Sequence, residues 1–135
     1  MKAFIVGLLL LLSSSVFAQG VTVQHHDKYG AYLADASGKA LYIFLKDERA
    51  SGSSNCYEAC ANAWPVFYSA DWPTDLPGEV GSITRTDGAM QSTYNGWPLY
   101  YYAGDAAQDT NGQAVGDVWY LANLAPNVSL YDHAD

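Results

Sequence analysis

The chain has 135 residues, half of them hydrophobic, and a formal net charge of −8 at neutral pH. That length is enough for one domain, and the acidity excludes nucleic acid and anionic membrane surfaces as electrostatic partners, because both attract positive charge. The acids are scattered singly, which suits solubility better than a cation site or a basic partner.

The first stretch reads as a leader. Met1-Lys2 is a minimal positive region, Ala3 to Leu12 is apolar, and Ser13 to Ala18 is small and polar, ending Val16-Phe17-Ala18. This is the pattern of a secretory signal peptide, with cleavage expected between Ala18 and Gln19. The apolar run is short of the roughly 20 residues that a membrane span needs. No second apolar stretch follows, and the residue directly after the expected cleavage site is Gln19, not a cysteine that could carry a lipid. The expectation is a periplasmic or extracellular protein with no membrane span and a partner, if any, in the cell envelope. Residues 19–135 are then one exported domain.

The domain holds 11 Tyr and 4 Trp, side chains that favour strands and half-wet faces. Val21 to His25 alternates apolar and polar and reads as a short strand, with His26-Asp27-Lys28 as a turn. Tyr29 to Ala34 and Ala40 to Lys46 read as the strands of a first hairpin around Asp35-Ala-Ser-Gly38, with glycine where a turn needs a positive φ. In the second of these, Leu41, Ile43 and Leu45 share one face and Tyr42 and Phe44 the other. Both faces are apolar, so the strand is either central or carries an aromatic binding face.

Asp47 to Ser54 is a polar loop. Asn55 has the spacing of a helix N-cap, with Glu58 three residues on, for about two turns through Cys56 and Cys60. Trp64-Pro65 ends it. Val66 to Glu79, with Pro73, Pro77 and Gly78, reads as an irregular loop anchored by Trp72. Ser82 to Thr86, Ala89 to Tyr94 and Trp97 to Tyr102 read as a meander turned at Asp87-Gly88 and Asn95-Gly96. Pro98 belongs at the start of its strand, since it lacks an amide hydrogen. Val118 to Ala122 is the last strand, and a loose tail is expected from about Pro126.

One pattern occurs twice. Gly38-Lys-Ala-Leu41-Tyr42-Ile-Phe44-Leu-Lys-Asp47 matches Gly96-Trp-Pro-Leu99-Tyr100-Tyr-Tyr102-Ala-Gly-Asp105, at an offset of 58 residues. The fold class is therefore mainly β: a small barrel or sandwich built from two related β-units, about 29–65 and 89–122. It would have seven to eight short strands plus one short helix carrying the cysteines.

These residues resemble a family of exported bacterial proteins described as a secreted repeat of unknown function, often predicted lipoproteins, marked by a Tyr-x4-Asp motif. The resemblance rests on Tyr42 to Asp47 and Tyr100 to Asp105. It extends to Tyr32-Leu-x-Asp35, Cys56-x3-Cys60-Ala61, Trp64-Pro65, Asp87-Gly88 and Thr93-Tyr-Asn-Gly96. It implies export and a repeat fold, and carries no established activity with it. A lipid-attachment cysteine is missing, which implies a freely soluble member.

The chemistry-bearing candidates are few. In an exported chain a pair of cysteines points to a disulfide. Positions i and i+4 of a regular helix hold their Cβ atoms about 5–6 Å apart, whereas a disulfide needs about 3.8 Å. Either Cys56 lies outside the regular helix, or the bond is strained, or the thiols are free. Free thiols at that spacing would suit copper(I), with His25, His26, His133 or Met90 as a third ligand. No cofactor is expected if the pair is oxidised; copper is the alternative. His25 and His26, as strand neighbours, point to opposite faces and do not chelate together. Asp47 and Asp105 each close a strand with a turn to backbone amides, or else meet at one site for a cation or acid–base chemistry. Tyr42, Phe44, Tyr100, Tyr102, Trp97 and Trp119 form either the core or an aromatic platform. No nucleophile sits beside an evident base, and no catalytic motif of the serine-hydrolase, zinc-protease or phosphate-loop kind occurs. An enzyme is not supported. The reading of function is a small exported binding or structural module, with a metal or thiol-redox protein at Cys56 and Cys60 as the alternative.

Overall fold

The computed structural model describes residues 20–124; the expected leader, the tail from Pro126 and His133 lie outside them. Seven short strands form three small sheets. Strands β1 (Val21–His26) and β2 (Gly30–Asp35) pair antiparallel in unbroken register. Strand β3 (Tyr42–Phe44) pairs with β7 (Trp119–Leu121). Strands β4 (Val80–Thr84), β5 (Met90–Tyr94) and β6 (Trp97–Pro98) make the expected meander. The fold is mainly β, and no closed barrel forms among the described residues.

Local chemistry sets the turns. His26 Nδ1 accepts the N–H groups of Lys28 and Tyr29 at 3.0 and 3.3 Å and closes the β1–β2 turn. Asp35 Oδ1 accepts from the Ser37 and Lys39 amides, both at 2.9 Å, in an Asx turn. Asn95 and Gly96 both take positive φ, 53° and 84°, as a tight hairpin with the strand twist requires.

The pairing of β2 and the segment after Trp64 differ from the sequence reading, and β4 and β6 are bounded at Val80–Thr84 and Trp97–Pro98 where Ser82 to Thr86 and Trp97 to Tyr102 are expected. The principal partner of β2 is β1, and the segment after Gly38 touches β2 only around one bridge, Ala34 with Ala40. Val66 to Glu79 is not irregular from its start. Tyr101 and Ala103 donate to the carbonyls of Pro65 and Ala63 at 2.7 and 2.8 Å, and Phe67 donates to Leu99 at 3.1 Å. Pro65 and the helix before it hide this strand-like piece, since a proline offers a carbonyl and no amide hydrogen.

The two halves are tied by a repeated main-chain device. In the first, Leu41 donates to Leu33, Leu33 to Ala122 and Ala122 to Leu41, a ring of three bonds at 3.0, 2.9 and 2.9 Å. In the second, Leu99 donates to Ser92, Ser92 to Phe67 and Phe67 to Leu99, at 3.0, 2.9 and 3.1 Å. The third member of each ring comes from the other end of the chain order: Phe67 follows the first motif yet completes the second half, and Ala122 follows the second motif yet completes the first. At the centre Tyr42 and Tyr100 exchange both main-chain bonds, at 2.8 and 3.0 Å.

The core lies on both sides of this central layer. Tyr42, Phe44, Trp64, Tyr100 and Trp119 pack on one side, and Leu33, Leu41, Ile43, Phe67 and Leu99 on the other. Strand β3 is therefore central, buried on both faces, and the six candidate rings are interior except Tyr102, which is half-buried. A Cβ at Gly112 would lie 2.7 Å from Tyr42 Cζ and 2.9 Å from Trp64 Cζ3. Both neighbours are locked in the core. Gly112→Ala should therefore destabilise the protein by about 1–3 kcal/mol, as overpacking does, read as a lowered urea midpoint with an unchanged slope.

Candidate functional site

The two Tyr-x4-Asp motifs are bonded to each other crosswise. The chain bends after each aromatic strand, with Asp47 N–H on the Phe44 carbonyl at 2.9 Å and Asp105 N–H on the Tyr102 carbonyl at 3.0 Å. This turns each aspartate inward. Because Tyr42 and Tyr100 run antiparallel through their main-chain pair, each ring projects toward the other motif's turn. Tyr42 donates its hydroxyl to Asp105 Oδ2 at 2.5 Å, and Tyr100 donates to Asp47 Oδ2 at 2.7 Å. The bonds are exchanged: each motif's tyrosine serves the other's aspartate.

The second carboxylate oxygen also has a matched partner. Asp47 Oδ1 accepts the Asn55 amide at 2.7 Å, and Asp105 Oδ1 the Asn111 amide at 3.0 Å. The turn-closing reading of the two aspartates is thus half of the arrangement, and the cross-repeat tyrosine is the half that sequence spacing did not reveal. Both tyrosines are fully buried, and both aspartates are below a tenth exposed.

The halves differ in what lies beyond. Tyr42 Oη accepts the Gly112 amide at 3.1 Å. Tyr100 Oη instead meets Ser54 Oγ at 2.6 Å. Ser54 Oγ accepts from Arg85 Nη1 at 2.9 Å, and the same nitrogen donates to Gln91 Oε1 at 2.7 Å. Arg85 Nη2 donates to the Cys56 carbonyl at 2.5 Å, and its guanidinium lies 4.2 Å from the centre of the Tyr57 ring. Arg85 is only 3 % exposed. Its Nε has no hydrogen bond, and the Asp87 carboxylate at 3.6 Å is an ion-pair neighbour beyond hydrogen-bonding reach. Ser54, Arg85 and Gln91 were not among the sequence candidates. A single arginine two residues before an Asp-Gly turn reads as a surface residue, and nothing in its neighbours marks it as buried.

Cys56 and Cys60 are joined in a disulfide with Cα atoms 5.2 Å apart. The helix is shorter than the capping pattern implied: α1 spans Ala59–Ala63, begins after Glu58 at φ 56°, and has no side-chain cap. Cys60 is on it, and Cys56 precedes it, the first of the three geometric alternatives. The Asn55 side chain, expected as the cap, donates to the Lys46 carbonyl at 2.7 Å. With both sulfurs in the bond, copper(I) at this pair requires the reduced protein. The weaker ligand candidates are elsewhere: His25 and His26 at the end of β1, and Met90 at the start of β5, where its sulfur accepts from Thr84 Oγ1 at 3.4 Å. No group of three or more His, Cys, Asp or Glu with metal-site spacing occurs among the described residues.

Ionisation follows burial. Burial first, and then the neighbouring carboxylate, pushes the Tyr42 and Tyr100 hydroxyls well above their ordinary value, so both stay protonated. Burial also raises Asp47, against the pull of Tyr100, the Asn55 amide and Arg85. Asp35 goes the other way: burial raises it, but the Lys39, Ser37 and Tyr101 hydrogen bonds together bring it below its ordinary value.

The family model described as a secreted repeat of unknown function matches the chain twice, over residues 24–68 and 81–123. No curated protein and no solved structure matches it.

Three predictions come from this geometry. Tyr100→Phe should cost about 1.5–3 kcal/mol, the range for a hydrogen bond to a charged group. Asp47→Ala should cost more, because it removes the acceptor of both the Tyr100 hydroxyl and the Asn55 amide and leaves two donors unmet at about 1–3 kcal/mol each; paired urea titrations check the order. With pH, Tyr42 and Tyr100 have folded values above the ordinary 10.0, so the unfolded chain loses those protons first and stability falls as pH rises past that value. Tyrosinate absorbance of these two rings should therefore appear together with unfolding. At the acid end Asp35, held below 3.8, contributes stability that is lost as pH falls through its folded value. Asp35→Asn should flatten that acid limb.

Proposed function

The chain belongs to this secreted-repeat family, and from that membership and the inward-turned motifs we propose that it is a small exported module of binding or structural character. One observation carries the reading. The side chains of the family's defining motif are turned onto each other across the repeat, so the motif maintains a rigid frame and leaves recognition to the surface around it. The disulfide between Cys56 and Cys60 fits an oxidising compartment, and no helix among the described residues is long and apolar enough to cross a membrane. In this reading the leader 1–18 is removed on export and the protein works in the periplasm or outside the cell against an envelope partner.

Producing the full chain with its own leader in a bacterial host tests the proposal. The osmotic-shock or culture fraction should hold a protein whose N-terminal residue is Gln19, and reduction should add about two mass units. Retention of the whole chain in the cytosol, or an exported form with no mass change on reduction, would overturn it.

A further inference from the structure

Four aromatic rings lie face to face through the middle of the fold. Phe44 stacks on Trp119 with ring centres 4.2 Å apart, Trp119 on Trp64 at 3.8 Å and 2° between planes, and Trp64 on Tyr102 at 4.3 Å. Tyr102 is half-buried, so its end of the column reaches the surface, while Phe44, Trp119 and Trp64 are interior. Two further rings meet the column edge-on: Tyr42 against Trp64 at 5.5 Å and Tyr100 against Trp119 at 5.1 Å. These are the two tyrosines whose hydroxyls donate to Asp105 and Asp47.

Indoles and phenols are the side chains that yield a single electron most readily. A phenol does so far more easily when an acceptor for its proton is already hydrogen-bonded to it. Here every part is in contact: a surface ring, two stacked indoles, and two phenols with a carboxylate apiece. Packing alone does not ask for this. Phenylalanine at positions 42 and 100, with apolar residues at 47 and 105, would fill nearly the same space without burying two hydroxyls and two carboxylates, a burial that costs free energy unless each is fully bonded.

We propose that the column is a one-electron relay with two proton-coupled tyrosine ends. A strong one-electron oxidant of the ferryl-haem or metal–peroxide class, acting at the Tyr102 edge, draws an electron out through Trp64 and Trp119. Tyr42 or Tyr100 refills the indole. As it does so its O–H bond breaks, and the proton passes along the existing hydrogen bond to Asp105 or Asp47. The oxidant gains one electron, the tyrosine becomes a neutral radical, and the carboxylate becomes a carboxylic acid, so the proton stays within the pair while the pair's charge rises by one and the oxidant's falls by one. A reductant that returns one electron reverses each step. Phe44, too hard to oxidise, ends the column on its buried side.

Flash oxidation of the intact disulfide-bonded protein by tris(bipyridine)ruthenium(III), followed by transient absorption and freeze-quench EPR, tests the relay. The expected result is a neutral tyrosyl radical that outlives one formed at the exposed Tyr68. It should weaken in Tyr42→Phe or Tyr100→Phe, vanish in the double variant, and build up more slowly in Trp64→Phe. The wild-type build-up should also slow in deuterated water. An equally long-lived signal in a double variant with native near-ultraviolet circular dichroism, or a wild-type signal with only the short life of a surface tyrosyl, would overturn the relay. So would a build-up that ignores deuterium, a result that needs no variant to fold.

Discussion

The antiparallel exchange between Tyr42 and Tyr100 is the constraint from which the rest of this structure follows. Two main-chain hydrogen bonds fix the two motif strands in opposite directions about one point. Once that is set, each tyrosine side chain must run toward the other motif's turn, and each turn must present its aspartate there. The matched partners, Asn55 for Asp47 and Asn111 for Asp105, show that the local two-fold relation extends beyond the rings. The aromatic contacts obey it as well. Phe44 on Trp119 corresponds to Tyr102 on Trp64, Tyr100 edge-on to Trp119 corresponds to Tyr42 edge-on to Trp64, and Trp64 and Trp119 meet each other at the centre.

This arrangement makes the halves interdependent. Each ring of three main-chain bonds takes its closing member from a segment that belongs, in chain order, to the other repeat. An isolated repeat lacks that strand, lacks the partner for its tyrosine, and exposes one face of its indole. Its buried hydroxyl and carboxylate would then stand without partners, at about 1–3 kcal/mol for each orphaned group. The short strands alone could not offset this, since two-stranded pieces are marginal in water. The duplication is therefore a single cooperative unit and not two modules in tandem.

Much of this was legible in the sequence because it obeys local rules. The period-two pattern of Leu41 to Leu45 marked a strand apolar on both faces, central or carrying an aromatic binding face, and burial on both sides decides for the first; Asn95-Gly96 and Asp87-Gly88 marked the meander, and Gly38 sits at positive φ where the turn needed it. The repeated Tyr-x4-Asp spacing marked the site residues without revealing their pairing. Spacing is a relation within one segment, while the tyrosine–aspartate bonds span 53 and 63 residues and are set by strand direction. The helix start failed for a related reason. Asn55 has the right chemistry for a cap, but its amide is claimed by Asp47 and its side chain by Lys46, and the covalent tie to Cys60 holds Cys56 out of helical geometry. Arg85 was invisible because nothing local distinguishes a buried arginine from a solvated one.

Arg85 also explains how the repeat came to be unequal inside. Of the two buried carboxylates, Asp47 shares its surroundings with a guanidinium reached through Tyr100 and Ser54, while Asp105 accepts from Tyr42 and the Asn111 amide, and Tyr42 in turn from the Gly112 amide. A buried guanidinium is costly unless its donors are met, and Ser54, Gln91 and the Cys56 carbonyl meet three of its bonds. One of those partners, the Cys56 carbonyl, belongs to the loop that the disulfide closes, and Ser54 lies two residues before it, its Oγ accepting the Cys56 amide. The bond between Cys56 and Cys60 thus does more than shorten the unfolded chain: it holds the Cys56 carbonyl where Arg85 needs an acceptor, and Arg85 in turn is linked to Asp47 through the Ser54 and Tyr100 hydroxyls. The covalent link, the cation and one half of the tyrosine–aspartate exchange form a single connected unit, present on one side of the two-fold and absent from the other.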